Sequence, residues 1–144
     1  KQAPSVFPGT TKSKKNRKLI FSTRMIAPRP KTFFPTKHLI TRWFNIFNNE
    51  IFNNTIHPFH DIEIKRKQGC HAETCAEEDK NGNVYATLSI SDRFINKNEF
   101  LYTLAHEMIH QWQWMELNQL DHGKTFWKWK NKFCTFSSNF FFSN

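Results

Sequence analysis

Hydrophobic and polar positions along the chain alternate in two different periods. Residues 36–53 carry Leu39, Ile40, Trp43, Phe44, Phe47 and Ile51 at helical spacing, with Thr36 placed to cap the first turn. Asn53-Asn54 and His57-Pro58 then mark a loop. From 61 to 91 the period shortens to two. Ile62 and Ile64 alternate with charges, and Val84, Ala86, Leu88 and Ile90 alternate with Tyr85, Thr87 and Ser89. Asn81-Gly82 before that run is a hairpin signal, and Gly69–Glu77 is the strand candidate on its other side. These patterns predict a small antiparallel sheet with one face on the helices.

Helical spacing returns with Leu101, Leu104, Ala105, Met108, Ile109 and Trp112, behind a capping-box-like Asn96 and Glu99. A last helix follows at Phe126, Trp127, Trp129 and Phe133, with Lys124, Lys128, Lys130 and Lys132 between them. The expectation is an α+β domain with about three helices packed on a three-stranded, mostly antiparallel sheet.

Charge divides the chain differently. Of its net +9, eleven Lys or Arg and no acid fall in the first 49 residues, and Glu50 is the first carboxylate. Residues 1–35 therefore read as a basic, flexible arm broken by Pro4, Pro8, Pro28, Pro30 and Pro35. Its run of Lys12, Lys14, Lys15, Arg17 and Lys18 is either a solvated tail or an electrostatic contact for DNA. An acid-free leader that targets an organelle has a similar composition. Residues 36–133 form the domain, and 134–144, with Phe140-Phe141-Phe142, an aromatic tail.

No secretory signal or membrane span is visible, so the expected location is intracellular, in cytoplasm, nucleoid or nucleus, with no membrane partner. Three cysteines, Cys70, Cys75 and Cys134, do not describe a disulfide framework and read as ordinary thiols.

The chemistry-bearing stretch is His106-Glu107-Met108-Ile109-His110. Histidines four apart lie one turn apart on one helix face, so both imidazoles reach one ion. On a helical wheel they fall nearly opposite the apolar stripe, which turns them to a cleft. Glu107, rotated by about 100°, can reach a water at the ion without ligating it, as a general base must. The bland alternative is a helix with two solvated histidines.

A catalytic zinc site needs a third protein ligand. Glu116 is rotated toward the apolar side, and no histidine stands at 116 to complete the longer metzincin pattern. Asp121 remains possible, as a ligand or as a residue orienting one. His122, beside Gly123, is the better zinc ligand. His71 reads as a strand or loop residue, and His57 and His60 as surface residues.

Thr103-Leu104-Ala105-His106-Glu107-Met108-Ile109-His110, followed by His122-Gly123-Lys124-Thr125-Phe126, resembles the SprT-like zinc metalloprotease domain of the Spartan and SprT proteins. There a TLxHExxH helix precedes an HGxxF segment whose histidine is the third ligand. The resemblance covers about residues 36–133. It implies a small zincin-like fold and a zinc metalloendopeptidase with His106, His110 and His122 as ligands and Glu107 as general base. A protein or peptide is the implied substrate, and DNA-associated proteins are one class of target. The spacer between His110 and His122 is shorter than in Spartan members, and Cys134 stands alone where a cysteine-rich module would follow. The rival function is a nucleic-acid-binding module with a structural or vestigial metal site.

Overall fold

A computed structural model describes residues 29–141 of the chain. The basic run from Lys12 to Lys18 lies outside the described residues. Helix α1 spans Lys37–Glu50, strands β1, β2 and β3 span Asp61–Lys65, Ala72–Glu78 and Val84–Ser91, and helices α2 and α3 span Lys97–Leu117 and Lys124–Phe141. Three helices and a three-stranded mixed sheet make a small α+β domain.

Helix α1 starts where the sequence puts it. The Thr36 hydroxyl accepts the Leu39 N–H at 3.1 Å. Ile40, Trp43, Phe44 and Phe47 form its buried face. It ends where Asn53 and Asn54 take left-handed φ of 54° and 59°, a region that asparagine tolerates. Asn48 holds the following loop with both ends of its amide, accepting from Ile56 N and donating to Ile56 O, each at 3.0 Å.

The strands lie in the order β1-β3-β2. β2 and β3 are antiparallel, with Thr74 opposite Leu88 and Ala76 opposite Ala86. Their hairpin loop closes through Gly82 N–H to Asp79 O at 3.0 Å, with Gly82 at φ 84°. The Asp79 carboxylate accepts the Asn81 and Asn83 N–H groups, and it is held below its ordinary pKa, most of all by the Asn83 backbone bond.

One sheet expectation needs correction: β1 pairs with β3 in parallel, with Ile62 opposite Leu88. The cause is topological. Successive strands reverse direction, but the chain after β1 crosses the end of β3 and lays β2 on the far side. The crossing is fixed by Asp92 N–H to Lys65 O at 3.0 Å and Ser91 N–H to His71 O at 2.8 Å.

The inner face of the sheet carries Ile62 and Ile64, then Ala86, Leu88 and Ile90, then Ala72, Thr74 and Ala76. The small residues of β2 let α2 approach closely. α2 begins at Asn96, whose side chain accepts the Glu99 N–H at 2.9 Å, while Glu99 reaches back to Ile95 N at 2.8 Å. It ends at Asn118 in the left-handed region.

Both flanking stretches extend further into the domain than the sequence pattern indicated. Phe33 forms a backbone bridge with Phe94 and packs on Phe100, so the end of the 1–35 stretch lies against α2. α3 continues to Phe141, past the expected start of the tail at 134. Phe133 and Phe136 both pack edge-on against Phe47, and Ser137 is fully buried. Among the described residues, no helix is long and apolar enough to cross a membrane.

Candidate metal centre

His106 and His110 project from successive turns of α2, and His122 stands just before α3. Their Nε2 atoms form a triangle with sides of 3.1 Å (His106–His110), 3.2 Å (His110–His122) and 3.3 Å (His106–His122). Among the described residues these three make the group that could hold a metal ion. Two physical arguments favour a cation there.

The first is geometric. Three imidazoles on one tetrahedral zinc, with Zn–N near 2.0–2.1 Å, place their nitrogens about 3.3–3.4 Å apart. The second is electronic. A ring nitrogen has one in-plane position, holding either a proton or a lone pair. Three mutual contacts cannot all be satisfied by protons, whereas one cation satisfies three lone pairs together.

Phe126 supports the triangle from below. Its ring lies 4.9 Å from His106, 5.3 Å from His110 and 4.7 Å from His122, centroid to centroid, stacking on His110 and meeting the others at steeper angles. It sits four residues after His122, one turn along α3, and is buried.

Glu107 is buried on the same helix and lies outside the histidine group. The Thr74 hydroxyl, on β2, donates to its Oε1 at 2.6 Å. This bond ties the sheet to the residue next to the first histidine. Thr74 escaped the sequence reading because Gly69–Glu77 showed only a weak strand pattern. A polar residue between Ala72 and Ala76 on an inner sheet face was the available signal.

Gln113 was missed too. It is fully buried, one turn beyond His110, and its amide contacts His110, Asp121 and Thr125. Asp121 also accepts the Gly123 N–H at 2.9 Å. It therefore shapes the His122 turn. A Cβ at Gly123 would come within 3.2 Å of Asp121 Oδ1, so a side chain there would require the Asp121 carboxylate to shift.

Glu116 is exposed and outside the group. His71 lies 3.7 Å from Glu99 at the start of α2, with its ring against Phe94, and is not part of the group either. Tyr85 donates to Glu77 at 3.0 Å, and the Tyr102 hydroxyl meets Ser137 at 3.3 Å. Cys75 and Cys134 are free thiols, and the Cys70 thiol faces the Glu73 carboxylate at 3.5 Å.

The chain is thus a small α+β domain with a three-histidine group between its central helix and the turn into its last helix. The SprT-like family model matches residues 40–140, well over half of the chain, and the chain belongs to the SprT-like family. Neither the curated proteins nor the solved structures searched gave a match.

Proposed function

We propose that the protein is a zinc-dependent metallopeptidase in which His106, His110 and His122 hold the ion and Glu107 is the general base. The observation that carries this reading is the Nε2 triangle of 3.1–3.3 Å beside a buried glutamate. Three neutral imidazoles suit zinc and leave a fourth position for a reactant. Zinc bound there would supply a Lewis acid that polarises the scissile carbonyl and makes water acidic near neutral pH.

The rest of the work falls to the chain's own groups. Glu107 takes a proton from the attacking water and returns it to the leaving amine. Thr74 keeps the Glu107 carboxylate oriented through Oε1. β2 is an edge of the sheet among the described residues. An extended peptide added to that edge by backbone hydrogen bonds would lie beside the strand that contacts Glu107.

The test is digestion of casein by the zinc-loaded chain, with and without DNA, beside Glu107→Gln. The wild type is expected to cut, and Glu107→Gln to keep zinc and lose cleavage. Full activity in Glu107→Gln would end the peptidase reading. Loss of DNA-stimulated cleavage on removal of residues 1–28, with DNA-free cleavage unchanged, would assign the basic arm a targeting role.

A further inference from the structure

We infer that Gln113 is a positioning residue that sets the tautomer of His110 and ties it to the turn carrying His122. The proposal rests on the metal centre proposed above. It concerns a residue with no contact to the ion or to the reacting atoms.

The hydrogen bonds fix which end of the amide is which. One end faces Asp121 Oδ1 at 3.1 Å and Thr125 Oγ1 at 3.1 Å; the other faces Asp121 N at 3.4 Å and His110 Nδ1 at 2.9 Å. Asp121 N–H can only donate, so the atom facing it is the carbonyl Oε1. Asp121 Oδ1 also accepts from Gly123, so the atom facing it is the NH2 group. Reversing the amide would set donor against donor and acceptor against acceptor in a fully buried place, a costly arrangement.

The consequence passes to the histidine. A carbonyl oxygen at 2.9 Å requires a proton on His110 Nδ1. The lone pair is then on Nε2, the atom that meets His106 and His122. A free neutral imidazole favours the opposite tautomer, with the proton on Nε2, which would aim a proton at the ion. Gln113 thus preselects the ligating form. Through its NH2 group it also holds Asp121, which in turn holds the Gly123 N–H next to His122. One side chain therefore serves two ligands that are twelve residues apart.

The direct readout is the long-range 1H–15N spectrum of the full-length chain without metal, at a pH where imidazoles are neutral, paired with zinc affinity from chelator competition. Wild type should show His110 with its proton on Nδ1. Gln113→Met should lose that preference and bind zinc about 10–100-fold more weakly, the usual cost of losing such a partner. Gln113→Glu keeps an acceptor for His110 but sets a carboxylate against Asp121. It should retain the Nδ1 proton, weaken zinc binding, and recover part of the loss when combined with Asp121→Asn.

A wild-type His110 protonated on Nε2 would overturn the proposal without any variant having to fold. So would Gln113→Met with wild-type zinc affinity. A wild-type chain that binds no zinc would instead refute the metal centre, while its His110 tautomer would still decide whether Gln113 selects it.

Discussion

From Phe100 to Ala105, α2 buries Phe100, Leu101, Leu104 and Ala105; from Glu107 to Trp114 it buries Glu107, His110, Gln111 and Gln113 beside Met108, Ile109 and Trp114. The first half is what a hydrophobic core asks of a helix. The second half sinks four polar side chains to the same depth. Burying a polar group costs free energy unless partners replace water. Here partners are supplied from elsewhere in the fold: Thr74 for Glu107, the His57 and Pro58 carbonyls for the NH2 end of Gln111 (its Oε1 has no hydrogen-bond partner among the described residues), and Asp121 and Thr125 for Gln113. An apolar helix would have stabilised the domain more simply. The polar half carries the candidate site, and its partners are what hold that site in place.

Substitutions in the two halves should separate stability from chemistry. The largest effect is expected from Glu107→Gln, with peptide cleavage down by about 10²–10⁴-fold and zinc retained, measured by turnover and metal content. His122→Ala should weaken zinc binding by more than the ~100-fold ceiling of an indirect partner, in chelator competition. Leu104→Ala, in the apolar half, should lose about 2–5 kcal/mol in denaturant unfolding while the folded fraction binds zinc normally. If Leu104→Ala instead abolished zinc binding at full stability, the division between the halves would fail. Thr74→Val should slow cleavage by about 10–100-fold with little change in zinc affinity, because it removes the hydroxyl that orients Glu107.

The smallest expected effect lies far from both halves, in the β2–β3 hairpin. The folded pKa of Asp79 is lowered below its ordinary 3.8, chiefly by the Asn83 backbone bond. Its stabilising contribution is therefore present above pH 3.8 and is lost as pH falls through the lowered folded value. Asp79→Ala should be slightly less stable than wild type at pH 7, and the difference should shrink below pH 4. Thermal unfolding of both proteins across that range checks it.

Local rules made much of this legible in the sequence. Thr36 and Asn96 cap helices through side-chain oxygens, and the alternation from Val84 to Ile90 defines β3. Each feature depends on residues within a few positions. The parallel pairing of β1 does not, because it depends on which side of β3 the chain lays β2. The helical wheel of α2 described a single apolar stripe. The structure packs other elements around the helix, so that His110 and Glu107 are buried too.

The site divides along the same line. His106, His110 and His122 could be nominated from spacing and ligand chemistry. Thr74, Gln113 and Phe126 acquire their roles from partners 33, 8 and 20 positions away. Gln113 and Phe126 each also offered a local hint, lying three residues beyond His110 and four beyond His122.

The zinc X-ray absorption spectrum of the loaded wild-type chain tests the centre most directly. One zinc per chain, with three imidazole nitrogens at about 2.0–2.1 Å and a light-atom fourth ligand, is expected. A shell containing sulfur at about 2.3 Å, or a chain that retains no zinc, would contradict the three-histidine centre.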